Sequence, residues 1–199
     1  MIESDELLHR QAQRKQVADQ ILSHLGLMER WARVGEPSLV GAAAYGLLVA
    51  PDIDLEIYCD NPSVDPGFAI VSELARQPAV WKVRFSNELD ARDRGLYWQL
   101  RYRAHDAEIW KIDMWLLGHD HPGPRSADLV DPMKRALTDE KRHAILGIKE
   151  AVLGEPDVHS IEIYEAVLDG GVRAAAEFRA WRSEREPNGL TFWQPTPHD

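Results

Sequence analysis

Residues 51–59, PDIDLEIYC, alternate charge and hydrocarbon: Asp52, Asp54 and Glu56 fall on one side, Ile53, Leu55 and Ile57 on the other. A period of two is that of a strand with one dry face, so the chain must build a sheet and cover that face with other elements. Pro51 marks the start of the strand, and alternation alone fits an edge strand whose acids are simply solvated. The segment before it sharpens the question. In LVGAAAYGLLVA three alanines lie between Gly41 and Tyr45-Gly46, so Gly41 to Leu48 reads as a short helical stretch between this strand and an earlier one at Pro37 to Val40.

The remaining periodicity places these strands among helices. Leu7, Leu8, Val17, Ile21, Leu22 and Leu25 form a helical stripe from Ser4 to Leu25, with Ser4 as expected N-cap and Gly26 as terminator. A short helix follows over 27–33 and another over 66–77, ending before Pro78. Strands are expected at Val80 to Phe85, Leu96 to Arg103 and Glu108 to Leu117, the last two forming an antiparallel hairpin around His105 and Asp106. After the loop GHDHPGPRSAD the pattern is helical, with starts at Thr138 and Ser160 and an irregular tail over 186–199. This order reads as an α+β fold with a mixed, mostly antiparallel sheet flanked by helices. The expected organisation is a first unit over 1–125, including the N-terminal helix, and a C-terminal helical region over 126–199 packed on it.

A third acid matters. In AEIWKIDMWLL, Asp113 sits in the middle of a strongly apolar strand, where a carboxylate is costly unless paired, metal-bound or wet. If that strand lies beside the one at 52–59, three carboxylates converge on one sheet face. Asp52 and Asp54 are about 7 Å apart along the strand, close enough to lean onto one ion. Such oxygen ligands suit magnesium, which keeps several waters and binds substrate phosphates. The competing reading of Asp113 is an ion pair with Arg101 or Arg103.

Gly41, a short helical turn, Asp52-Ile53-Asp54 and a later strand aspartate at Asp113 together resemble the nucleotidyltransferase superfamily related to polymerase beta. The resemblance covers roughly residues 36–118, and the helical remainder is similar to that of small stand-alone members such as antibiotic nucleotidyltransferases. It implies a nucleotidyltransferase-like sheet and a magnesium-dependent transfer of a nucleoside monophosphate from a nucleoside triphosphate, ATP by default, to a hydroxyl. Asp52 and Asp54 would hold the metal, two ions in all, against the triphosphate; Asp113 would share one ion and take the acceptor's proton. Gly41 and Ala42 would bring backbone close to the phosphates, and Lys111, on the face of Asp113, is the best candidate cation for them. Ala42 departs from the serine or glycine the family carries there, which keeps the backbone donor and loses a hydroxyl. That departure favours the alternative, an inactive nucleotide-binding or interaction module on the same fold.

Charge bears on the acceptor. With 33 acidic and 23 basic side chains the formal net charge is −10, which disfavours nucleic acid and favours a small-molecule or protein acceptor. The single cysteine, Cys59, excludes an internal disulfide. A charged N-terminus without the apolar core of a signal peptide, and no apolar run long enough for a bilayer, lead to the expectation of a cytoplasmic location without membrane contact. Oligomeric state is left open. His119-Asp120-His121 reads as an exposed turn rather than a second metal site. Trp98, Trp110 and Trp115 read first as core, and Glu56, though on the acid face, as plainly solvated.

Overall fold

The computed structural model describes residues 2–185 and 191–197, with residues 2–5 described by backbone alone. The elements run α1 (Ile2–Leu25), α2 (Leu27–Trp31), β1 (Glu36–Val40), α3 (Gly41–Tyr45), β2 (Asp52–Cys59), α4 (Val64–Ala75), β3 (Val80–Asn87), β4 (Gly95–Arg103), β5 (Ile109–Gly118), α5 (Ser126–Ala136), α6 (Asp139–Ala151), α7 (Ser160–Leu168) and α8 (Ala175–Ser183). The α1 helix starts two residues ahead of the expected Ser4 cap. Of the tail, 191–197 forms no helix or strand, and the remainder lies outside the described residues.

One five-stranded sheet has the order β1-β2-β5-β4-β3. The β2–β5 pair is parallel and the other three are antiparallel, so the mixed, mostly antiparallel α+β architecture expected from the sequence is what forms. The β4–β5 hairpin is present in the expected place, pairing Gly95 with Leu117 through to Arg103 with Ile109. The crossover that makes β2 and β5 neighbours sets Asp54 directly beside Asp113 and Asp52 beside Lys111.

The dry face of the sheet carries Ile53, Leu55, Ile57, Trp98, Leu100, Ile112 and Met114, all fully buried. The apolar stripes of α1, α2 and α4 cover it through Ala18, Ile21, Leu25, Trp31, Ile70 and Leu74. Trp31 donates its indole N–H to the Met114 sulfur at 3.2 Å, which gives one buried indole a partner. A second apolar cluster joins Tyr45, Leu47 and Val49, from the link between α3 and β2, to Met133, Ile145, Ile148, Ile163, Val167 and Phe178 of the C-terminal helices. Those helices pack where the acid face of β2 begins, and they supply the second wall of a cleft.

Two local contacts fix this arrangement. Arg142 of α6 donates to the Tyr45 and Gly46 carbonyl oxygens at 2.6 and 2.8 Å, satisfying the end of α3, where Gly46 takes φ +68°. Glu56, expected to be solvated, is 7% exposed. It accepts from the backbone N–H groups of Ser126 and Ala127 at 3.1 and 2.9 Å, and from the Tyr58 hydroxyl. A carboxylate at the first N–H groups of α5 satisfies donors the helix leaves free and favours its dipole, which repays the burial.

In α4, Gly67 lies flush against the Trp98 indole, which occupies the space of a β-carbon. Gly67→Ala is expected to overpack that contact and destabilise the protein by about 1–3 kcal/mol despite the better helix propensity of alanine. A fall in the urea midpoint without a change in slope is the expected readout.

Candidate active site

Asp52, Asp54 and Asp113 each offer a carboxylate oxygen such that the three lie within 4.8 Å of one another. No other group of three acid, histidine or cysteine ligands among the described residues meets that test, so the histidines at 119 and 121 are not brought into one. The parallel β2–β5 register is the cause: it stacks Asp54 on Asp113 one strand apart, with Asp52 two residues along. All three are half-buried.

Each acid has a distinct set of partners. Asp113 Oδ1 accepts from the Tyr97 hydroxyl at 2.8 Å and from Gln99 Nε2 at 3.1 Å, both on the neighbouring β4. Its Oδ2 lies 2.9 Å from Lys111 Nζ, which also reaches Asp52 Oδ2 at 3.0 Å. The cation beside Asp113 is therefore Lys111 rather than Arg101 or Arg103. Asp52 Oδ1 is shielded from solvent and has no hydrogen-bond partner. Asp54 packs against Gly41, where a β-carbon would approach its Oδ2 to 2.5 Å, and Gly41 holds φ +65°. Glycine is thus required there on two counts, the backbone conformation and the close approach of the carboxylate.

Sequence reading did not single out Lys149. It lies on α6 between Ile145, Ile148 and Val152, and its Nζ donates to the Leu47 carbonyl at 2.9 Å and contacts the Tyr164 hydroxyl at 3.3 Å. A signal existed, since 145, 148, 149 and 152 share one face of a helix. Desolvation lowers its pKa to about 8 against the opposing attraction of Asp54 and Asp52. Desolvation and the charge of Asp52 push Asp54 up to about 7, with Lys111 pulling the other way. Asp52 is raised by desolvation, in part offset by Lys111. Desolvation acts to lower Lys111, but the charges of Asp52 and Asp113 outweigh it and raise it. Tyr97 is raised to about 12 by desolvation and by its bond to Asp113, so it remains a donor.

Asp54 stands between two cavities. One, about 320 Å³, is lined by Gly41, Ala42, Asp52, Asp54, Lys149 and Tyr164 among others, between the sheet and the C-terminal helices. The other, about 450 Å³, lies across Asp54 and is lined by Glu56, Arg92, Trp115, His121 and the 122–124 turn. Trp98 and Trp110 are core, as expected, whereas Trp115 borders this second cavity.

The donor set fits a hard divalent cation. Three carboxylates converge, one shielded oxygen lacks any partner, and an ammonium already occupies the space between two of the acids. No protein-family profile and no curated protein matches the sequence. Among solved structures the fold is similar to that of Cid1 poly(U) polymerase bound to MgGTP, with a TM-score of 0.55 and 14% identity over 76% of this chain and 48% of that one. A second Cid1 structure, described for its RNA terminal uridylyl transferase activity, gives 0.53 and 13% over 75% and 44%. The chain spans about half the length of these polymerases. The fold is thus that of the polymerase-beta-like nucleotidyltransferases, as the resemblance carried by Gly41, Asp52, Asp54 and Asp113 implies.

A carboxyl raised from 3.8 to about 7 holds its proton more tightly folded than unfolded. The stabilisation this gives is complete below the unfolded value and is lost as pH rises through the folded one. With divalent ions chelated, Asp54→Asn is therefore expected to melt about 4 °C or more above the native protein at pH 8. The gap should close toward pH 5. Melting curves across that range test it; equal pH profiles for the two proteins would contradict the raised value.

Proposed function

We propose that the chain is a magnesium-dependent nucleotidyltransferase that moves a nucleoside monophosphate from a nucleoside triphosphate to an acceptor hydroxyl. The observation that carries this reading is the convergence of Asp52, Asp54 and Asp113 within 4.8 Å, with Asp54 lining two cavities, on a nucleotidyltransferase fold. Bound MgGTP and MgATP in Cid1 structures of the same fold support a metal–triphosphate donor.

Asp52, Asp54 and Asp113 would hold the metal, which when bound would neutralise phosphate charge and polarise the phosphoryl group. The 320 Å³ cavity would take the triphosphate, with Lys149 as a cation on its wall and Gly41 and Ala42 giving close backbone approach. Lys111, beside Asp52 and Asp113, offsets their repulsion and would be the cation closest to a phosphate held by those acids. Tyr97 and Gln99 hold Asp113 Oδ1 while Lys111 pairs with Oδ2, so the carboxylate that would take the proton is fixed in orientation. In the transfer, the acceptor oxygen bonds to the α-phosphorus, the bond to the departing pyrophosphate breaks, and the hydroxyl proton passes to Asp113. Positioning of the two reactants on either side of Asp54 supplies the main advantage.

Two observations favour the second reading, an inert nucleotide-binding module. Lys111 already pairs with two of the three acids without a metal, and Ala42 lacks a phosphate-binding hydroxyl.

Thermal-shift titration with each nucleoside triphosphate plus magnesium tests the donor site. At about a hundred times the dissociation constant the melting temperature is expected to rise by about 5–10 °C, and the rise should vanish in Asp52→Asn/Asp54→Asn. Absence of any magnesium-dependent shift in the native protein would refute donor binding. Asp113→Asn is expected to keep most of the shift while pyrophosphate release falls about 100-fold or more. A shift in the native protein with no pyrophosphate release for any acceptor would favour the inert module.

A further inference from the structure

Strand β3 is an open edge of the sheet, paired with β4 and with no other strand. The Glu88 N–H bonds to the Gly95 carbonyl at 2.9 Å. In that register the pairs Ser86–Tyr97, Arg84–Gln99 and Lys82–Arg101 exchange the ladder bonds. The N–H and C=O groups of Val83, Phe85 and Asn87 therefore point away from β4, and no backbone group of another element reaches them among the described residues. Free donors and acceptors along an edge are a template for one more strand.

The two faces of this edge differ in chemistry. Rows across the sheet run Asp52, Lys111, Arg101, Lys82 and Asp54, Asp113, Gln99, Arg84, so the acids of β2 give way to cations at β3. Lys82 and Arg84 are exposed. Neither forms an ion pair with a described residue. The other face is aromatic. Phe85 stands opposite Trp98, and its ring centroid lies 4.7 Å from that of Phe68 on α4. Both phenyl rings pack on the buried Trp98, yet Phe85 is 37% and Phe68 40% exposed. The dry face thus extends past the last strand of the sheet.

An occupant has to meet three conditions together. Its backbone must be extended, its side chains toward Phe68, Val83 and Phe85 apolar, and those between them acidic, to meet Lys82 and Arg84. A second copy of β3 centred on the same residues fails the last condition, because it sets cations against cations. The bulge at Trp81, the residue left over between the Val80–Tyr102 and Lys82–Arg101 pairs, ends the usable edge on one side. An edge lysine and a bulge discourage indiscriminate pairing, and they leave a strand of opposite charge as the one that fits.

We propose that residues 82–87 dock an extended segment of a partner protein in which acidic and apolar residues alternate, added to the sheet beside β3. The segment bonds to the backbone of Val83, Phe85 and Asn87, lays its acids over Lys82 and Arg84, and continues the Phe68–Phe85 cluster with its apolar side chains. This surface stands apart from the transferase reading, since the aspartates lie on β2 and β5 with β4 between them and this edge.

The test follows the fluorescence anisotropy of a labelled peptide of about ten residues, the length of a long strand, that alternates glutamate and valine. It is compared with a peptide of the same composition in two blocks, with an alternating lysine–valine peptide, and with versions N-methylated at the valines or at the glutamates. The native protein is expected to bind the alternating acidic peptide about tenfold or more tightly than the block or lysine peptides. Loss of binding on methylating the valines assigns antiparallel addition, and loss on methylating the glutamates assigns parallel addition; either supports the docking. Lys82→Glu/Arg84→Glu is expected to weaken the glutamate peptide about tenfold or more and to gain the lysine peptide, a swap that misfolding could not produce. Its urea midpoint and magnesium–ATP thermal shift should stay as in the native protein. No binding at about 1 mM peptide overturns the proposal. Equal binding of the block peptide reduces it to plain charge attraction and overturns it, as does indifference to both methylated versions. A native dimer that the charge-reversed variant breaks into monomers gives the edge to a second copy and overturns it as well.

Discussion

The parallel pairing of β2 with β5 is the constraint on which the rest depends. It sets Asp54 beside Asp113, and with Asp52 it forces three carboxylates into a space where their mutual repulsion and poor solvation both oppose ionisation. Everything near the triad answers that problem. Lys111 spans Asp52 and Asp113, Tyr97 and Gln99 donate to the other oxygen of Asp113, and Lys149 adds a cation from the far wall. Gly41 gives Asp54 room that any side chain would take. A protein that needed only a stable sheet would have no use for so much compensation.

Local rules made much of this legible. The two-residue period of 52–59 fixes which residues face the acids, and the hydrophobic stripes of α1 and α6 place the covering helices. The hairpin β4–β5 follows from its short turn. What no local rule supplies is adjacency across the crossover: β2 and β5 are separated by a helix and two strands, and their pairing depends on burying Ile53, Leu55, Ile112 and Met114 together. Asp113 becomes part of a triad only once that pairing is made. Glu56 was misread as solvated for the same reason. Its partners, the first N–H groups of α5, are seventy residues away, and nothing near Glu56 in the chain announces them. Lys149 is a different case, since its helical position among apolar residues was a readable anomaly.

Charge is organised along the sheet rather than summed over the chain. Acids cluster on β2 and β5, cations on β4 and β3, and Lys111 lies at the boundary. Such a gradient gives the two ends of a row opposite local potentials, which the net charge of the whole chain does not reveal.

The buried Glu56 ties two layers of the molecule together. One of its carboxyl oxygens serves Ser126 and the other Ala127, so α5 cannot leave the sheet without stranding a buried polar group away from water. Tyr58, which donates to the same carboxylate, lies under the Arg125 guanidinium at 4.4 Å, adding a second clasp at the same point. The start of α5 is in effect riveted to β2. The rim that Ser126 gives to both cavities is thereby a fixed jaw, which keeps its distance from the strand that carries Asp54.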